Sequence, residues 1–439
     1  MIAFVTLLLG LISGTYPIEV TVGGPVVAVE YQLDGVTVAE LKGPPWSAKV
    51  DLGSGLQPRE LTARALDADG REIARVTQWL NLPRPPAEVE VVLEKGGNGA
   101  PRAAQLTWQS VNDVKPLAIG LTLDDKPLVV DGNGRAELPA VDLKSLHVLT
   151  AEMSFPPGLL ARKDVAFGGE YGSEVSTELT AVPVRVARGA ALPSLQGLAG
   201  WFTAEGRPVP VAAVEEGPGK VIIVRVPRGT EVLDKLMAPR RRRNLLPTFR
   251  TEMQLGPDDR VRFLSLASSA HRQSRVPSEL FDVSQELSRQ DGGIFWYLTS
   301  LSLATQAPRD SSRRVADAVA VAGLQAAADD HRRAVVLLLD GDAADGSRYD
   351  PATVRRYLES IRVPLFVWSL YGDRSPAVKA WGGAEDVSSI PALSRAVARL
   401  RTELAAQHIV WLDGRHLPQS IALTPAAARG VELPTAPAP

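Results

Sequence analysis

The sequence predicts a multidomain fold, two β-sandwiches in tandem followed by an α/β doubly wound domain, and three observations carry that reading. Short β-prone runs with turn residues every 8 to 12 positions fill the first part of the chain. A set of landmarks then recurs in order at offsets of 88 to 91 residues. Beyond residue 199 the pattern changes class, and strands begin to alternate with helices.

The first sandwich is assigned to residues 16–84. Its runs are Ile18 to Val22, Val26 to Leu33, Val36 to Leu41, Ala48 to Leu52, Glu60 to Asp67 and Glu72 to Trp79. Asp34-Gly35 and Asp69-Gly70 sit between such runs, and both dipeptides supply the positive φ that a tight hairpin needs. The second sandwich, residues 85–185, repeats the first in degraded form. Leu33-Asp34-Gly35 is echoed by Leu123-Asp124-Asp125, Val50-Asp51-Leu52 by Val141-Asp142-Leu143, and Leu61-Thr62-Ala63 by Leu149-Thr150-Ala151. Chance similarity among short β motifs is the competing explanation.

An Ala- and Gly-rich stretch, residues 186–199, reads as a linker. In residues 200–421, Lys220 to Val226 is a nearly continuous apolar run, as a strand buried on both faces requires. Further strands are expected at Arg260 to Leu266, Ala334 to Leu339, Pro364 to Leu370 and His408 to Leu412. Asp350 before Pro351 marks a helix start, and Leu393, Val397, Leu400 and Leu404 form a helical stripe behind Pro391. Residues 422–439 are rich in Pro and Ala and read as a disordered tail.

Composition narrows the function. A net charge of -2 over 439 residues gives no basic footprint for nucleic acid. Zero cysteines exclude disulfides, thiolate metal sites and a Cys nucleophile. Residues 1–12 are an uncharged apolar run followed by Ser13, Gly14 and Thr15, which reads as a signal peptide over 1–15 or, alternatively, as a buried first strand. The first reading places the protein in the periplasm or outside the cell, with no membrane span after cleavage.

Two resemblances sharpen these expectations. Val29-Glu-Tyr-Gln-Leu-Asp-Gly35 and Gly43-Pro-Pro-Trp46 resemble the bacterial Ig-like domains of exported proteins. Residues 200 to 415 resemble the von Willebrand factor A-related domain of exported bacterial proteins. That resemblance rests on Phe202 to Val211, Leu255 to Val261, Asp291-Gly-Gly-Ile294, Arg333 to Gly341 and Leu400 to Val410, in that order. It implies a divalent-cation site built from an Asp-x-Ser-x-Ser turn, a Thr and an Asp. Here the matching positions are Val226, Arg228, Thr230, Ile294 and Asp340, of which only Thr230 and Asp340 keep oxygen. The metal site is therefore read as degenerate, with no metal and no cofactor. Arg228, Thr230 and Asp340 become candidate partner-binding residues, Arg228 either pairing with Asp340 in the cation's place or facing solvent.

Other patterns carry less. The loop Asp340-Gly-Asp-Ala-Ala-Asp345-Gly346 is out of register for calcium. Arg240 to Arg243 is a charge run, read as a solvated helix end or a contact for an anionic partner. The five histidines lack ligand spacing, and no nucleophile elbow or phosphate loop is present. The expectation is a non-enzymatic binding or adhesion-type protein whose partner is a protein or cell-envelope macromolecule. The alternatives are an envelope scaffold that binds through its sandwiches, and a hydrolase with an unrecognised site.

Overall fold

The computed structural model describes residues 2–84, 87–95, 100–110, 115–156, 159–168, 171–175, 179–187, 191–225, 253–264, 266, 275–276, 280–281, 283–290, 313–328, 331–339, 345–372 and 375–434. The first unit contains β1 (Ile2–Phe4), β2 (Leu11–Ile12), β3 (Thr15–Val22), β4 (Ala28–Leu33), β5 (Val36–Leu41), β6 (Ser47–Asp51), β7 (Arg59–Leu66) and β8 (Glu72–Leu80). Strands β1-β3-β6 form one antiparallel sheet and β5-β4-β7-β8 the other. The inward residues of both, Ile18, Val20, Val29, Tyr31, Leu33, Leu61 and Ala63 among them, share one apolar core. Asp34 and Gly35, at φ 52° and 76°, close the β4–β5 hairpin as the dipeptide requires.

The second unit contains β9 (Ala87–Lys95), β10 (Pro101–Ser110), β11 (Ala118–Leu123), β12 (Lys126–Pro127), β13 (Arg135–Glu137), β14 (Leu146–Phe155), β15 (Leu159–Gly168) and β16 (Tyr171–Val175). Its sheets run β13-β10-β9 and β12-β11-β14-β15-β16 around a second core. The echo seen in the sequence has a structural counterpart. Leu33 pairs with Leu61 in the first unit, and Leu123 pairs with Leu149 in the second. Asp34 Oδ1 accepts from Glu60 N at 2.8 Å, and Asp124 Oδ1 accepts from Val148 N at 3.0 Å. Even the outward partner is matched, Arg59 on Asp34 Oδ2 and His147 on Asp124 Oδ2.

The remainder contains β17 (Leu179–Val186), β18 (Phe202–Ala204), β19 (Arg207–Val209), β20 (Val211–Glu215), β21 (Gly219–Arg225), β22 (Arg260–Leu264), β23 (Arg275–Val276), α1 (Val315–Ala328), β24 (Arg332–Leu339), α2 (Pro351–Ser360), β25 (Leu365–Ser369), α3 (Pro376–Ala380), β26 (Glu385–Asp386), α4 (Ile390–Ala406), β27 (Gln407–Asp413), β28 (Ile421–Leu423) and β29 (Val431–Glu432). Strands β22-β21-β24-β25-β26 form a parallel sheet. Strand β24 is buried at seven of its eight residues, which explains its unbroken apolar run. Helices α1 and α2 contribute to one core against this sheet and α4 to another.

The expected α/β doubly wound von Willebrand factor A-like domain over 200–421 requires correction. Strand makes up 47% of the described residues and helix 17%, so the chain as a whole is mostly β. Five of the strands between Phe202 and Leu423 lie in antiparallel sheets instead, ordered β20-β27-β17-β29 and β19-β18-β28, with a core of their own. Strand β27, expected among the parallel strands, pairs antiparallel with β17 and β20. Its link to β24 runs through a side chain. Gln407 Oε1 accepts from Arg333 N at 2.9 Å while its Nε2 donates to Arg333 O at 3.1 Å. The amide thus satisfies both backbone groups of Arg333 as a neighbouring strand would. The alternating burial of β27 gave no information about direction, because an inward-outward period of two is shared by parallel and antiparallel strands.

The apolar run at the start of the chain is built into this frame. Strand β1 pairs with β3, and β2 pairs with β23, some 260 residues away. Leu8, Leu11 and Ile12 are 2%, 0% and 1% exposed, so they contribute fully to the cores around them. Asn81 clamps the same segment, its Oδ1 accepting from Ile12 N and its Nδ2 donating to Ile12 O. At the other end of the chain, β29 pairs with β17. No helix among the described residues is long and apolar enough to cross a membrane.

Candidate functional site

The five positions singled out by resemblance, Val226, Arg228, Thr230, Ile294 and Asp340, lie outside the described residues, as do Arg240 to Arg243. The end of the acidic loop is described, and there Asp345 serves as a helix cap. Its carboxylate accepts from Val315 N, Ala316 N and Ser347 N, three donors that the start of α1 and the loop would otherwise leave unmet. One turn on, Asp317 is fully buried and pairs with Arg314 at 2.6 Å, while accepting from Arg348 N and Tyr349 N. These carboxylates are committed to holding the chain together. Among the described residues no group of three or more His, Asp or Glu is placed to hold a metal ion.

A cleft of about 840 Å³ opens where the two sandwiches meet the loop after β27. Three elements supply most of its lining, with Ile2 and Ala3 of β1, Glu60 of β7, Arg84 and Trp108 beside them. Strand β8 contributes the consecutive residues Ile73, Ala74, Arg75, Val76 and Thr77, and then Trp79. Strand β9 contributes only alternate residues, Glu88, Glu90, Val92 and Glu94, with Gln105 and Thr107 beside them on β10. Successive side chains of a strand point to opposite faces. The cleft therefore runs along the edge of β8 and across the outer face of β9.

The third element is Arg415. Its guanidinium carbon lies 4.7 Å from the centroid of the Trp79 ring, within the range of a cation–π contact. The turn that carries it is fixed. Thr180 Oγ1 donates to Gly414 O at 2.7 Å and accepts from His416 N at 2.9 Å. Gly414 takes φ +84°, a conformation in which a side chain is strained. Among the described residues no carboxylate pairs with Arg415, so the donors of a planar cation remain available at the cleft wall.

Of the carboxylates in the cleft, Glu88, Glu90 and Glu94 are matched by cations, whereas Glu60, opposite Trp79 on β7, accepts from Thr62 Oγ1. Arg84 donates to Glu88 at 2.6 Å and to Gln78 at 2.8 Å. Lys163 lies 3.7 Å from Glu90. Arg135 hydrogen-bonds Glu94 and holds its carboxyl below the usual carboxylate range. Such a group stays ionised, the opposite of what a general acid needs. Arg75 does the same to Glu72. A smaller cavity of about 220 Å³ opens on Trp79, Arg84 and Arg415 from the other side, towards Thr180 and His416.

The walls are held in place by contacts between units. Tyr357 on α2 donates to Asn81 O at 3.0 Å, and burial pushes its phenol up so that it remains a donor. Gln419 donates to Pro58 O across the junction. None of this is visible in the sequence, where Trp79 and Arg415 stand 336 residues apart. The one local signal is the run Glu88-Val-Glu-Val-Val-Leu-Glu94, which sets carboxylates on the outward side of a strand.

No protein-family model matches the chain, and no curated protein matches it. Among solved structures, the fibronectin(III)-like modules of Clostridium thermocellum CbhA align at 17% identity and a TM-score of 0.16, over 38% of this chain and 94% of that one. Proximal thread matrix protein 1 from the mussel byssus aligns at 14% identity and 0.28, over 44% and 47%. The central fibronectin-III array of RIM-binding protein gives 10% and 0.25, over 44% and 80%. All three TM-scores are below 0.5, so the fold rests on the contacts described above.

Proposed function

We propose that this chain is a non-enzymatic binding protein that engages a macromolecular partner in the cleft between its sandwiches. The observation that carries this is the exposed edge of β8 along a cleft of about 840 Å³, with the guanidinium of Arg415, which has no carboxylate partner among the described residues, over Trp79 at one end of that edge. Concave sites of roughly 300–1,000 Å³ that combine apolar lining with a few placed polar groups are the usual form of a ligand site. The ion-paired state of Glu88, Glu90 and Glu94 supports recognition over acid–base chemistry. The partner class is a protein or an envelope polymer.

Photo-crosslinking tests this reading. A photoreactive phenylalanine at Ile73 or Val92, exposed at 45% and 56%, is expected to yield partner adducts in the native host. The same group at Val36, on the opposite edge of the same sheet, is expected to yield none. Equal labelling at all three positions, or labelling at Val36 alone, overturns the cleft as the binding site.

A further inference from the structure

We propose that the occupant of this cleft is an extended peptide that adds as a strand to the free edge of β8 and places a carboxylate on Arg415; this rests on the cleft being the binding site. Strand β8 is the last strand of the sheet β5-β4-β7-β8. Among the described residues its backbone pairs only with β7, so one side of its peptide groups faces the cleft. Unpaired edge groups are a template for another strand. The cleft follows that edge, because side chains from both faces of β8 line it.

The side chains define the peptide's chemistry. Ile73 and Val92 are exposed apolar residues in the same cleft, a seat for one apolar side chain. Trp79 and Arg415 lie at the other end of β8, six residues along, which is roughly 20 Å in a strand. Arg415 rests over the indole on a turn whose neighbouring backbone groups, Gly414 O and His416 N, are held by Thr180, and a planar guanidinium so placed can meet a carboxylate in bidentate fashion. An oligosaccharide is disfavoured by the same geometry. One face of Trp79 is occupied by Arg415, and Trp108, which also lines the cleft, has part of its ring packed against the core of the second sandwich, so less aromatic face is left for a sugar ring to stack on.

A positional-scanning library of fluorescein-labelled heptapeptides, read by anisotropy on the full chain, tests the proposal. Pools with Asp or Glu near one terminus and Val, Ile or Leu near the other are expected to bind best. Arg415→Gln, an exposed substitution, should weaken the best peptide at least tenfold. Methylating one alternate set of its backbone amides should abolish binding, whereas methylating the other set should be tolerated, because only every second amide of an added strand faces β8. Equal tolerance of both sets overturns strand addition. Binding of neutral or uronic oligosaccharides with no peptide pool bound overturns the peptide class. In that second case crosslinking at Val92 persists, whereas its loss would instead remove the underlying reading of the cleft.

Discussion

Asp317→Ala should loosen helix α1 far more than an average substitution. The carboxylate is 0% exposed and Arg314 2%, so removing it leaves a guanidinium in the interior without its counter-charge. Breaking one partner of a buried pair costs about 3–5 kcal/mol. Two further donors, Arg348 N and Tyr349 N, would lose their acceptor, so the upper part of that range is expected. Since about 1.4 kcal/mol is a factor of ten, amide exchange over α1 should accelerate roughly a hundredfold to a few thousandfold. Hydrogen exchange read by mass spectrometry suits a chain of several units, because it reports the opening of one helix without assuming a single global transition. A double variant isolates the cause. Asn at 317 keeps an oxygen for the two backbone donors, and Met at 314 removes the cation, whose Nη2 is already buried without a partner. Arg314→Met with Asp317→Asn should therefore restore protection to within about 2 kcal/mol of the wild type. Acceleration below tenfold for Asp317→Ala, or a double variant as exposed as the single one, would refute the reasoning.

Three further outcomes are expected. Leu11→Ala should cost about 2–5 kcal/mol, since the side chain is fully buried in the core beneath the parallel sheet. A chain starting at Thr15 would lose β1, β2 and the partner of the Asn81 amide, and calorimetry should show a lower Tm than for 1–439; an unchanged Tm would show that residues 2–13 do not stabilise the fold. His147 sets both ring nitrogens against acceptors, Asp124 Oδ2 at 2.7 Å and Asp142 O at 3.0 Å, and the Asp124 hydrogen bond raises its pKa. The raised value means that its stabilisation is complete below the unfolded pKa of about 6.5 and is lost as pH rises through the folded value. Urea midpoints for the second sandwich should fall from pH 5.5 to 8.5 in the wild type and fall less in His147→Phe; a wild-type midpoint that climbs over this window would contradict the pairing. Asp124 is itself held low by the same bond, so its contribution is lost only as pH falls through that depressed value, outside the window tested.

Local periodicity and turn chemistry settled a good deal on their own. Asp34-Gly35 and Asp124-Asp125 take the positive φ of tight hairpins, because short polar or absent side chains are what that conformation tolerates. Asp350 caps α2 through Thr353 N, with Pro351 following it. Leu393, Val397, Leu400 and Leu404 form the buried stripe of α4. Of the three echoed triplets, the first and third recur in matching strand registers, whereas Val50-Asp51-Leu52 leads out of β6 with both apolar residues buried and Val141-Asp142-Leu143 lies outside any strand with Leu143 38% exposed. Tertiary structure decided the rest. Whether β27 runs parallel or antiparallel to its neighbours, and that it joins β17 across more than 220 residues, depends on partners that a period of two cannot name. The apolar run of residues 2–12 fits both a leader and a buried strand, since each demands only burial of apolar side chains; the structure gives those side chains a core to pack against. The cleft is the extreme case. Its edge comes from β8, its acidic wall from β9 and its arginine from a turn near the end of the chain, and only the docking of three units brings their chemistry together.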